Sequence, residues 1–169
     1  MAKTSYALAL GSNRRHGTHG GPAAVLRAAL AALEESGIGL LAVSSIRATK
    51  ALGPAGRGFA NAAAILETRL EPPALLERLK QLERSFGRRP GRRWGPRVLD
   101  LDILLWSEGA WAGDGLIVPH PEFRRRRFVL EPLAEIAPAW RDPLSGLAVR
   151  HLLARARRPR PVDPKSPRS

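Results

Sequence analysis

The segment VLDLDILLW, residues 98–106, constrains this chain more than any other. Its apolar and acidic residues alternate with the period of two that defines a β-strand. Leu99, Leu101, Ile103 and Leu105 are therefore assigned to one face, and Asp100 and Asp102 to the other. Two carboxylates on one strand face lie about 6 to 7 Å apart at the backbone and repel each other unless a cation or an arginine intervenes. Magnesium favours oxygen ligands and commonly takes one or two carboxylates plus substrate phosphates, which this spacing offers. The plain alternative is a solvated strand face, but an Arg and a Trp next door and an aliphatic opposite face argue against it. A phosphatase with an aspartyl nucleophile also begins from a strand Asp-x-Asp. It needs further lysine and acidic motifs in a larger doubly wound fold, for which 169 residues leave no room.

The rest of the chain supplies partners for this strand. Tyr6 to Leu10 reads as a strand closed by Gly11-Ser12-Asn13 and a glycine-rich stretch through Gly21. A helix follows from Pro22, with Leu26, Leu30 and Leu33 at helical spacing and Gly37 at its end. Leu40 to Ile46 and Phe59 to Thr68 read as strands, although the alanines of the second leave a helix open. A second helix is predicted from Pro72 to Phe86 on the stripe Leu75, Leu79, Leu82 and Phe86, with Lys80, Glu83 and Arg84 away from it. After Val98 to Trp106 come a hairpin around Gly113 to Val118 and helical stretches near Arg127 to Ile136 and Ser145 to Arg155. The order strand, helix, strand, strand, helix, strand is the split βαβ pattern of a ferredoxin-like α+β fold with a mainly antiparallel sheet. One domain over residues 1–156 is expected, with residues 157–169 as a basic, Pro-rich, disordered tail.

The net charge of +13 invites a nucleic-acid reading, so its placement matters. Six arginines fall between Arg84 and Arg97, four form the run Arg124 to Arg127, and six basic residues follow His151. Two of these clusters flank the densest motifs, which suits a phosphate-rich small ligand as well as a polymer, because guanidinium forks match phosphate oxygens in either. A nucleic-acid module on such a sheet displays aromatic and basic residues, whereas the most regular strand here displays two acids. No specific nucleic-acid partner is therefore expected. The absence of cysteine excludes disulfides, thiol nucleophiles and thiolate metal sites, and the N-terminal apolar stretch is too short for a leader or a membrane span. A soluble, cytoplasmic monomer is expected.

A second dense segment is VPHPEFRRRRFVLEPLAEIAP, residues 118–138. Its prolines fix the chain around His120, and the arginines follow within one or two helical turns, so imidazole and guanidinium groups can converge on one anion. No Gly-Lys-Ser or Gly-Lys-Thr phosphate loop occurs. With LGSN at 10–13, LGP at 52–54, FANAA at 59–63, LKQLERSFGR at 79–88 and RWGPRVLDLDILLW at 93–106, the chain closely resembles the 6-hydroxymethyl-7,8-dihydropterin pyrophosphokinase family of folate biosynthesis. The order and spacing of these motifs are more specific than any one of them.

The resemblance implies a ferredoxin-like α/β/α sandwich that transfers the β,γ-pyrophosphate of ATP to the dihydropterin hydroxymethyl group and releases AMP. It implies that Asp100 and Asp102 bind two Mg2+ ions, with ATP as co-substrate. Arg88 and Arg97 match arginines on the nucleotide, counted with the aspartates as catalytic. Lys80, Glu83 and Ile103 fall at nucleotide-pocket positions, Lys80 where a glutamine is frequent, and His120 and Arg126 match a His and an Arg close to the phosphates. On the pterin side, Thr49 and Leu52 match a contacting loop, Asn61 an asparagine on the ring edge, and Phe59 and Phe128 aromatic positions, with Phe128 stacking on the ring. Trp94 belongs to a wall that closes over both ligands. The chain departs from the family pattern at Lys50 and Ala51, where prolines are common. It departs again at Gly115 and Ile117, where an arginine and a hydroxyl residue are usual, and in a short loop from Arg89 to Arg93.

Overall fold

The computed structural model describes residues 2–13, 19–49, 58–87 and 98–159. In chain order its elements are β1 (Thr4–Ser12), α1 (Pro22–Glu35), β2 (Gly39–Val43), β3 (Arg47–Thr49), β4 (Phe59–Thr68), α2 (Pro72–Ser85), β5 (Asp100–Trp106), β6 (Trp111–Gly113), β7 (Leu116–Val118), α3 (Arg127–Ile136) and α4 (Val149–Arg157). The main sheet has the order β2-β4-β1-β5 with β3 also paired to β4, and these pairings are antiparallel. The antiparallel α+β sheet is as expected, and its strand order is compatible with the split βαβ pattern.

Period-two alternation sorts the sheet into two buried faces. Tyr6, Leu8 and Leu10 of β1 with Ala60, Ala62, Ala64 and Leu66 of β4 pack against Val25, Leu26 and Leu33 of α1 and Leu75 and Leu79 of α2. On the opposite face Ala7, Ala63 and Ile65 meet Val129, Leu130 and Leu133 of α3 and Val149, Leu152 and Leu153 of α4. The alanines that left β4 open to a helical reading are small residues flanked by strands on both edges. Pairing satisfies the backbone, and their size lets helices lie close on either side. Gly37, at φ 89°, ends α1 with the Ile38 N–H donating back to the Leu33 carbonyl, as a left-handed capping residue permits.

Four expectations are corrected. The second strand stops at Val43 rather than Ile46, because Ser44 takes over the edge of β4: its N–H donates to Ala63 O, and its hydroxyl accepts from Ala63 N–H, each at 2.9 Å. The aspartate strand starts at Asp100 rather than Val98 and carries a bulge. Leu8 opposes Ile103 and Ala7 opposes Leu105, so Leu104 is skipped and Leu105 turns to the face opposite Leu99, Leu101 and Ile103. Glu83 does not lie away from the apolar stripe of α2. It is 5% exposed, and its Oε2 accepts the Leu101 N–H at 3.0 Å on the outer edge of β5. The last helix begins at Val149 rather than Ser145, because Asp142 gathers the Leu144 N–H, the Ser145 hydroxyl and the Gly146 N–H into a turn that competes with helix.

The hairpin of β6 and β7 turns on Asp114 and Gly115, both at positive φ, the conformation that Asp-Gly sequences favour in two-residue turns. Among the described residues, no helix is long and apolar enough to cross a membrane.

Asp142 also ties the C-terminal segment to the turn at Phe123–Arg125. Its fully buried carboxylate receives both Nε and Nη2 of Arg124, the latter at 2.8 Å. Burial by itself raises the Asp142 carboxyl, but the hydrogen bonds from Arg124, Ser145 and Leu144 outweigh it and hold the pKa down from 3.8 to about 2. Because the folded value lies below the unfolded one, this contribution of about 2 kcal/mol is complete above roughly pH 4 and disappears as pH falls through 2. Denaturant titrations between pH 5 and 2 are expected to show that loss in wild type, and Asp142→Asn is expected to flatten it. Arg124→Ala is expected to lower stability by about 3 kcal/mol, read from the urea midpoint at pH 7, because it strands a buried carboxylate.

Candidate functional site

Antiparallel pairing aligns four residues in one row across the sheet. Arg47 of β3 opposes Asn61 of β4, Asn61 opposes Gly11 of β1, and Gly11 opposes Asp100 of β5. Directly opposed residues project to the same face, so Arg47, Asn61 and Asp100 share one surface. The next row on that face is Ala63, Ala9 and Asp102. A Cβ built on Gly11 would stand 3.4 Å from Asn61 Oδ1, which places the Asn61 amide over the glycine. The missing side chain at Gly11 and the alanines beside it leave a low floor between the amide and the two carboxylates. Asp100 and Asp102 are half-buried, on the face that also carries α3 and α4.

The arginine-rich segment crosses this face. Phe123 is fully buried in the cluster with α3 and α4, and the His120 N–H donates to the carbonyl of Leu104, the bulged residue of β5, at 3.0 Å. The bulge thus anchors the histidine beside the strand that bears the aspartates. His120 Nδ1 accepts the Glu122 N–H at 3.1 Å, which leaves the ring proton on Nε2 as a donor for an anion. Arg126 is the N-cap of α3, and its guanidinium lies 5.9 Å from the ring centroid of Phe128 in the first turn. Phe59 and Phe128 are both about half exposed, at 53% and 52%. Phe59 lies two residues from Asn61 on the same face of β4, and Phe128 lies on the helix packed over that face; exposed aromatic side chains with a polar amide suit a flat heterocycle.

Other expected residues lie differently. Ile103 is 2% exposed, in the core on the face opposite the aspartates, so its side chain cannot meet a ligand on their face and only its backbone can. Lys80 is exposed on α2, in the layer behind the sheet. Glu83, in the same layer, reaches the β5 edge through Leu101. Thr49 ends β3 opposite Phe59. Arg88, Trp94, Arg97 and Leu52 lie outside the described residues, as do Lys50, Ala51, Arg89 and Arg92. The sequence reading missed Gly11, Arg47 and the acids of α3 that hold Arg47. The pairing of Arg47 with Asn61 is a long-range fact, and the one local hint was the four-residue spacing of Glu131 and Glu135 on a predicted helix.

Among the described residues, no group of three His, Asp or Glu side chains forms a metal cage. The site offers two carboxylates side by side on an open face. That donor set fits Mg2+, which is held by few protein oxygens and completes its shell with water and phosphate, and does not fit a three-ligand catalytic zinc site.

Known proteins give this geometry its context. The family model described as 7,8-dihydro-6-hydroxymethylpterin-pyrophosphokinase (HPPK) matches residues 7–138. The 2-amino-4-hydroxy-6-hydroxymethyldihydropteridine pyrophosphokinase of Pseudomonas aeruginosa is 44% identical over 138 residues, covering 80% of this chain and 82% of that protein. The Synechocystis protein of the same name is 41% identical over 118 residues, covering 70% of this chain and 60% of that protein's length. The crystal structure of wild-type Plasmodium falciparum HPPK-DHPS shares the fold with a TM-score of 0.68 at 13% identity, over 90% of this chain and 41% of that one. The chain belongs to the 7,8-dihydro-6-hydroxymethylpterin-pyrophosphokinase family.

Proposed function

We propose that this chain transfers pyrophosphate from ATP to the hydroxymethyl group of 6-hydroxymethyl-7,8-dihydropterin, giving the pterin diphosphate and AMP, with Asp100 and Asp102 as the carboxylates that hold Mg2+. Family membership supports the reaction. The observation that carries the site is the shared row of Asn61, Gly11 and Asp100, with Asp102 in the next row, on a face walled by α3.

Each residue of this chain then has a physical task. Asp100 and Asp102 are set side by side on one face by the period-two alternation of β5, at a spacing that suits shared cation ligands. Bound there, Mg2+ supplies charge that offsets the polyphosphate and polarises phosphorus. His120 offers Nε2–H, and Arg126 a guanidinium, to phosphate oxygens. Asn61 offers both an acceptor and donors to the polar edge of the heterocycle, and Phe59 and Phe128 offer its faces. Gly11 keeps the floor free, so that an acceptor hydroxyl can approach the carboxylate end of the row while the ring stays at the amide end. Positioning of this kind contributes through orientation and entropy, with no protein nucleophile required. Arg88 and Arg97 belong to the same reading as further contacts to the nucleotide, as do Thr49, Leu52 and Trp94 around the pterin.

Incubation with Mg-ATP and 6-hydroxymethyl-7,8-dihydropterin is expected to yield AMP and the pterin diphosphate in equal amounts by mass spectrometry. ADP with a pterin monophosphate would refute the transfer. Asp100→Asn and Asp102→Asn are each expected to lower kcat by about a hundredfold or more while leaving the urea midpoint near that of wild type, because a charge is lost from an open face and not from the core. Phe128→Ala is expected to raise KM for the pterin by about tenfold with less effect on KM for ATP, as loss of an aromatic face predicts.

A further inference from the structure

Two acids on α3 grip the chain that leads into the pterin side of the site. Glu131 Oε2 lies 3.3 Å from Arg47 Nη1, and Glu135 Oε2 lies 3.6 Å from Arg47 Nη2. Glu135 also accepts the backbone N–H and the hydroxyl of Ser45, each at 2.9 Å. Those two bonds from Ser45, ahead of the charge of Arg47, hold the Glu135 carboxyl below its usual range. Glu131 takes two further arginines on its Oε1, Arg127 at 3.2 Å and Arg157 at 3.5 Å.

The spacing of these contacts sets a register. Four residues of helix, from Glu131 to Glu135, advance about 6 Å, and two residues of extended chain, from Arg47 back to Ser45, advance about 6.6 Å. The two match, so α3 runs antiparallel to β3 with its acids meeting alternate residues of the strand segment. One helical turn before Glu131 stands Phe128, and two residues beyond Arg47 stands Thr49, which opposes Phe59. Arg47 itself opposes Asn61. The clamp therefore ties the polar side of the helix bearing Phe128 to the strand that pairs with Phe59 and Asn61, beside the apolar packing of α3 on β4. Exposed ion pairs contribute little to global stability, and that leaves Arg47 poorly explained as a stabilising residue.

We propose that Arg47, gripped by Glu131 and Glu135, is a positioning residue for the dihydropterin: it sets the gap between Phe128 and the Phe59–Asn61 strand into which the ring slides. This rests on the assignment of those three residues to the heterocycle. Loosening the clamp widens or tilts the gap and weakens the ring's hold, while the carboxylate end of the row, three strands away, keeps its geometry.

The test is calorimetric titration and steady-state kinetics on Arg47→Met, Arg47→Lys, Glu135→Ala and the double variant Arg47→Met/Glu135→Ala, with 6-hydroxymethyl-7,8-dihydropterin and a nonhydrolysable ATP analogue as probes. Arg47→Met is expected to raise Kd and KM for the pterin by about three- to tenfold, with KM for ATP changing less than twofold, as partial loss of orientation by an exposed pair predicts. Arg47→Lys is expected to recover part of that loss, and the double variant is expected to lose less than the product of the two single effects. An unchanged pterin Kd in Arg47→Met, or equal losses for pterin and nucleotide, overturns the clamp alone. A wild-type protein that binds no pterin overturns the assignment of the site itself.

Discussion

Strand β1 is hydrogen-bonded along both edges, to β4 through nine opposed residue pairs and to β5 through six, and this double pairing decides which side chains share a surface. Once Leu8 and Leu10 turn toward α1 and α2, Ala9 and Gly11 must turn the other way, and Asp100, Asp102 and Asn61 go with them. A slip of one residue in the β1–β5 ladder would move the carboxylates into an apolar layer, where two buried charges are untenable, and a slip in the β1–β4 ladder would take Asn61 off their face. The sheet register and the candidate site are thus one constraint.

The bulge in β5 adds to that constraint. Strict alternation over the whole strand would place Leu105 behind the sheet, with Leu99, Leu101 and Ile103. By inserting Leu104, the strand gives α3 and α4 two leucines to pack on, turns Trp106 back toward Tyr6, against which it stacks at 5.9 Å, and frees a carbonyl for the His120 N–H. One extra residue therefore serves the core and also seats a candidate phosphate ligand. Glu83 acts similarly on the outer edge, where its buried carboxylate meets a strand N–H that the sheet leaves over. At both places a polar requirement of the backbone is met by a group that also lies near the candidate site.

Much of this was legible in the residues. The alternation in VLDLDILLW announced a strand with paired acids, the spacing of leucines announced α1 and α2, and the stretch Gly113 to Val118 announced a hairpin. Where the reading failed, a long-range partner had overridden a local pattern. Ser44 resembles any strand residue until Ala63 lies beside it, and Glu83 looks like a solvated helix residue until the β5 edge lies beside it. Ser145 looks like a helix start until Asp142 captures it. At Ile103 the motif said nothing of which face the side chain takes, and the ladder with β1 decides that it packs behind the sheet.

The sequence by itself determined the alternation up to Ile103, where α1 and α2 begin and stop, and which side chains could carry phosphate, metal and heterocycle chemistry. These follow from backbone periodicity and side-chain type, which act over a few residues. Tertiary structure alone decided that Asn61, Gly11 and Asp100 form one row, that Leu105 changes face, and that Glu131 and Glu135 hold Arg47. Those facts depend on the register between strands far apart in the chain and on how a helix seats over them. Such register is settled only when the whole core packs at once, because the energy that distinguishes one register from the next is burial summed over both faces of the sheet.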